Sequence, residues 1–220
     1  MKKFLSTALI VTLLVLPLGT VALADHEEAP TETAQSVQEY IPGGVPAQVN
    51  AEQSMAPALH GVLLAMMNHN LTSFDPDNQA VAWESLYNML SLYGQLDNRS
   101  EYQNSDTLLL LSETVRDYAA ALNCSFDDLG PLPKDLSDRL TYDAASDSYQ
   151  VVCGNNDQAR FEIRQSVTRG DTVTLSGALV YLADGSDLGT FEATLQSRDN
   201  MFGYAITGFT MKQIGRASCR

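Results

Sequence analysis

The chain has 220 residues, 45% of them hydrophobic, with 13 Lys and Arg against 27 Asp and Glu and a net charge of −14. Such a length allows one domain with a substantial core that needs no metal to hold it together. The acidity sets the chain against phosphate backbones and anionic membrane surfaces, which argues against nucleic-acid binding.

Residues 1–24 read as an export signal. Lys2 and Lys3 supply the positive start, Phe4 to Leu16 is nearly unbroken apolar sequence, and Ala22-Leu23-Ala24 offers the small residues of a cleavage site. The apolar run is short of the roughly 20 residues that cross a bilayer, and Pro17 and Gly19 break it. Cleavage before Asp25 is expected, with no stable membrane insertion afterwards. The compartment is then secreted or extracytoplasmic, at the cell envelope. Residues 25–50 are rich in Glu, Thr, Gln, Ala and Pro and contain Pro42-Gly43-Gly44-Val45-Pro46. With little to bury, they read as a disordered tether.

Residues 51–213 form the expected folded domain, helical over 51–140 and β over 141–213. Met55, Leu59, Val62, Leu63 and Met66 recur at helical spacing and predict a first helix from Ala51 to about His69, with Pro57 in its first turns. A second helix starts at Asp75 as cap with Pro76 in the first turn, carries Trp83, Leu86, Tyr87, Leu90 and Tyr93 as its apolar stripe, and ends at Gly94. A third is expected from about Asp106 to Leu122, on the spacing of Leu108, Leu111, Val115, Tyr118 and Leu122.

From Tyr142 the period falls to two. Ser148–Cys153, Arg160–Thr168, Thr172–Leu182, Gly189–Arg198 and Phe202–Met211 read as strands, separated by turns at 169–171, 184–186 and 199–200. Short loops predict an antiparallel meander of four to five strands, with about three helices packed on one face, so the fold class is α+β.

The last seven residues, Ile214-Gly215-Arg216-Ala217-Ser218-Cys219-Arg220, read as the translation ATC GGA AGA GCG TCG TGT AGG of a widely used short-read sequencing adapter. Residues 214–220 are therefore expected to be a non-native tail. Without signal and tail, nine cations face 27 acids, a net charge of −18. Setting Cys219 aside leaves Cys124 and Cys153, an even pair in an oxidising compartment. They are expected to form a disulfide around a loop of about 30 residues, contributing ~3–4 kcal/mol on the chain-entropy model.

The order of elements, the export signal and the acidity resemble two groups of small exported bacterial domains. These are the nuclear-transport-factor-2-like α+β cones and the secreted inhibitors of peptidoglycan endopeptidases. The stretch Tyr142-Asp143-Ala144-Ala145-Ser146-Asp147-Ser148-Tyr149 looks like a segment found in many exported proteins. No functional residue carries over from these resemblances.

No catalytic, cofactor or metal constellation stands out. His26 falls in the tether, and His60 and His69, nine apart, lie about 180° from each other on a helix and cannot share a metal. Both read as helix-surface or helix-end residues. Asp75, Asp77 and Asn78 begin like a calcium loop, but Gln79, Ala80 and Leu86 stand where a ligand, the turn glycine and the closing glutamate belong. Helix capping explains them better. Ser112, Ser166 and Ser176 lack a nucleophile-elbow context. Asn70, Asn98 and Asn123 head glycosylation triplets that matter only in a eukaryotic secretory route. Trp83, Tyr87 and Tyr93 read as core, with a ligand groove as the other use.

The sequence points to an exported, non-enzymatic binding or inhibitory module at the cell envelope, its partner a cationic protein or cell-wall component, with no cofactor. The alternative is a small-molecule-binding α+β cone with hydrolase or isomerase chemistry. A flat or shallow acidic cleft would favour the first, and a deep pocket with two convergent polar side chains of shifted pKa the second.

Overall fold

The computed structural model describes residues 49–214. The signal, His26, nearly all of the tether and residues 215–220 lie outside them. The described chain is α+β, with two helices ahead of all eight strands, a third between the second and third strands, and two four-stranded antiparallel sheets.

Helix α1, Ala51–Asn68, is capped by Asn50, whose Oδ1 accepts the N–H of Glu52 at 2.9 Å. Pro57 sits in the second turn and leaves the Gln53 carbonyl without its helical donor. Helix α2 spans Gln79–Tyr93. It begins later than the sequence suggested: Asp75 Oδ1 accepts from the Asp77 N–H and the Asp75 carbonyl from the Asn78 N–H, so Asp75 and Pro76 build a turn ahead of the helix and Asn78 takes the cap position. Helices α1 and α2 cross closely at Gly61, where a Cβ would come within 2.6 Å of the Ser85 carbonyl and 2.8 Å of Met89.

The first sheet corrects the helical half. Residues 107–111, expected in the third helix, form strand β2, Thr107–Leu111, which pairs with β1, Glu101–Asn104, and with β4, Ser148–Val152. Strand β3, Leu140–Asp143, completes the order β1-β2-β4-β3. A leucine run satisfies a period of two as well as 3.6. Leu108 and Leu110 turn inward against Val151 and Tyr149, while Leu111 is 53% exposed. Helix α3 is only Ser112–Ala120. Residues 143–147 make the β3–β4 turn, in which Asp143 accepts from Ala145 N–H and Ser146 Oγ–H.

The second sheet is the meander β5-β6-β7-β8, formed by Ala159–Arg169, Thr172–Tyr181, Asp187–Ser197 and Tyr204–Gln213. These four strands match the sequence reading to within two residues. The expected single sheet of four to five strands is thus two sheets, because β4 pairs with β2 and β3 and makes no ladder with the meander. Helix α1 packs on the meander, α2 on α1 and β4, and α3 on β2 and β4. The expectation of all helices on one face of one sheet is corrected accordingly. At the open side of β8, Phe74 N–H donates to Phe209 O and Met211 N–H to Thr72 O, extending the sheet by a short bridge.

One glycine sets the inner face of the meander. Phe161 on β5 and Phe191 on β7 are separated by strand β6, yet their rings stack with centroids 5.2 Å apart and planes 13° apart. Gly177 on β6 makes that possible: a Cβ there would overlap the Glu162 backbone oxygen and lie 2.7 Å from the Phe191 ring. Gly177→Ala should therefore destabilise the domain by about 2 kcal/mol or more through overpacking, read as a lower denaturation midpoint with an unchanged slope. A variant as stable as the wild type would show that the sheet relaxes freely around the stack.

Candidate functional site

The cleft with the strongest chemical features lies where the chain passes from the first sheet to the second. Its rim is the connection 154–158 between β4 and β5, held by the Gly154 N–H donating to the Ser91 carbonyl at 3.0 Å. Helix α1 contributes His60 and Leu64, helix α2 contributes Tyr87, Asn88 and Ser91, and Arg139 enters from just before β3. The volume is about 370 Å³, within the range of about 300–1,000 Å³ usual for small-molecule sites. A second cavity of about 330 Å³ shares His60, Asn156 and Ala159 with it and adds Tyr93, Phe161 and Leu182.

His60 stands between the two and is only 2% exposed. Its ring stacks on Phe161 with centroids 5.1 Å apart and meets Tyr93 edge-on at 5.9 Å. Nδ1 lies 2.8 Å from the Tyr93 hydroxyl. Burial lowers the His60 pKa to about 4 and pushes Tyr93 up to about 12. At neutral pH the pair is an uncharged imidazole beside an uncharged phenol. With the hydroxyl donating to Nδ1, the imidazole carries its proton on Nε2, which has no protein partner among the described residues.

The walls are fixed by main-chain bonds. Asn88 Nδ2 donates to Gly61 O at 3.2 Å, Ser91 Oγ to Asn88 O at 3.3 Å, and the Tyr87 hydroxyl to Val152 O at 3.2 Å. The Arg139 guanidinium lies over the Tyr87 ring, 4.8 Å from its centroid, and forms no ion pair among the described residues. A neutral imidazole with one open nitrogen, a phenol, amide side chains and one guanidinium can hydrogen-bond a polar ligand from several directions. Aromatic and aliphatic walls would hold its apolar part.

The sequence-derived candidates divide. His60, read as a surface or end residue, is instead a buried wall of the cleft, because α1 is covered on both sides by α2 and the meander. His69 is at a helix end, as expected, with Nε2 2.7 Å from Glu84. The expected reading of the α2 aromatics as core holds for Trp83, whose indole N–H donates to Leu129 O. Tyr87 and Tyr93 also line the cavities. Asp75, Asp77 and Asn78 form the turn before α2. The expected Cys124–Cys153 bond is not made in this structure: both are free thiols. Cys124 sits past the end of α3 with its thiol 3.5 Å from Ala119 O, and burial pushes its pKa up to about 11. Cys153 follows β4, and its N–H donates to Asp106 O. Sequence reasoning missed Arg139, Asn155, Asn156 and Gln158, which lie in segments without periodicity. The mixture of glycine and amides in Gly154-Asn155-Asn156-Asp157-Gln158 between two strands was the one available signal.

No protein-family model matches this chain, and no curated protein does. The reading of the site therefore rests on its own geometry.

Burial of His60 has a consequence for stability. Its pKa is lower folded, about 4, than unfolded, about 6.5, so between these values the unfolded chain binds more protons. Stability is then full above pH 6.5 and falls as pH drops toward 4, by roughly 3 kcal/mol from this group. His60→Gln should flatten that part of the profile in denaturation series from pH 7 to 4. An unchanged pH slope in the variant would show that His60 is not the titrating group.

Proposed function

We propose that this chain is an exported module that binds a small molecule in the cleft around His60. The observation that carries the reading is the hydrogen-bonded pair of buried His60 and half-buried Tyr93, both of shifted pKa, at a concave, partly apolar site. This is the feature that separates a ligand pocket from a flat acidic face. The export signal and tether expected from the sequence would carry the module to the cell envelope. There it would hold its ligand without a catalytic step assigned to it. Ala159, which lines both cavities, gives the test. Ala159→Trp should fill the cleft and abolish binding of small-molecule fragments while leaving the melting transition in place. Fragments that bind wild type and variant alike, as read by NMR shifts of the lining residues, would remove the cleft as the site.

A second reading, retention of a cationic protein or cell-wall partner, has its own surface. Leu96, 77% exposed, and Met201, 49% exposed, flank Asp97 and Asp117, which share Arg99 at 2.9 and 2.6 Å. An apolar patch bordered by acids suits a basic partner. Binding of such a partner should weaken as salt rises, and Leu96→Asp should lower its affinity several-fold. Salt-independent affinity would remove the electrostatic argument.

A further inference from the structure

The residues around the cleft carry a charge pattern opposite to that of the chain. The sequence has 27 acids and 13 Lys and Arg, yet among the described residues no Asp or Glu lines either cavity, while Arg139 lines one and Arg160 the other. Asp138 and Asp157 are sequence neighbours of lining residues but do not line the cleft themselves. Arg160 is already paired with Glu162. Arg139 lies over Tyr87 at the exposed rim of the cleft, with no carboxylate within ion-pair distance among the described residues, and Asn155, Asn156 and Gln158 share the lining with it.

Resting on the binding role above, we infer that the cleft takes a small monocarboxylate, its carboxylate held by Arg139 with Asn155, Asn156 and Gln158 around it and its apolar part lying along Leu64, Leu92 and Leu179. The warrant is physical. A guanidinium presents a planar fork that matches a carboxylate, and charge-assisted bonds of this kind are among the stronger ones available. The surrounding amides add N–H donors without a competing charge. His60 contributes no charge at neutral pH, so the net charge available to a ligand is one, which suits a monoanion better than a phosphate dianion. An acidic outer surface slows the approach of anions, so selection for a carboxylate would be exerted inside the cleft and not by steering.

The test uses matched probes on the mature protein: benzoate and octanoate against benzamide and octanamide, with phenyl phosphate alongside, followed by NMR shifts and calorimetry. The carboxylates should bind at the cleft at least about tenfold more tightly than their amides. Arg139→Gln should erase that difference, whereas Arg169→Gln, on the outer face of the meander, should leave it. Equal binding of acid and amide in the cleft, or an unaffected Arg139→Gln variant, would overturn the carboxylate inference while leaving the small-molecule reading standing. Phenyl phosphate binding well above benzoate would overturn the choice of a monoanion. No shift at any lining residue with any probe at millimolar concentration would overturn the cleft reading itself. A melting curve for each variant separates lost binding from lost folding.

Discussion

A column of four rings ties helix α1 to the second sheet, and it runs over the one position of β6 that has no side chain. Phe209 stacks on Phe191 at 5.4 Å, Phe191 on Phe161 at 5.2 Å, and Phe161 on the imidazole of His60 at 5.1 Å, with planes within 18° of parallel throughout. Aromatic pairs at these separations contribute about 0.5–1.5 kcal/mol each beyond the area they bury. The column also sets position. It brings the imidazole, a residue of the helix, to the end of a row of sheet residues, and so places the cleft where helix and sheet meet.

A second close approach acts from the other side. Gly61 lets the backbones of α1 and α2 come within a distance that no Cβ would tolerate, and Asn88 uses it to donate to the Gly61 carbonyl. His60 is thereby pressed between α2 and the meander and loses its water. The cost is a suppressed charge, the benefit a neutral ring with one nitrogen bound and one open. Desolvation of this kind is most often found where a protein needs a defined hydrogen-bonding group in place of a solvated one.

The charge distribution belongs to the same design. The exposed surface carries the acids, with their few arginines mostly consumed in local pairs such as Arg99 with Asp97 and Asp117, and Arg164 with Asp187. Isolated surface pairs of this sort are worth at most about 1 kcal/mol, so they organise loops more than they stabilise the fold. Arg139 is different in kind: it is paired with a ring and not with an acid.

Much of the fold was legible in the sequence by itself. The apolar period of α1 and α2, the alternation of β5 to β8 and the glycine and aspartate turns between them are local signals, because each element of a meander pairs with its neighbour in the chain. What the sequence could not decide was wherever distant segments compete for one run of residues. Leu108 to Leu111 fits a helix or a strand, and only pairing with Ser148–Val152 settles it. His60 has the same sequence surroundings whether it faces water or the core. Its burial depends on Phe161, 101 residues further along the chain, and on a glycine in a strand that neither residue belongs to. Arg139 and the amides of 155–158 lie in aperiodic connections, and such segments acquire meaning only when the elements they join are placed. Composition, and with it the expectations about surface and compartment, was therefore read from the sequence alone. The cleft was decided by tertiary structure, because its chemistry arises from desolvation, and desolvation is a property of packing.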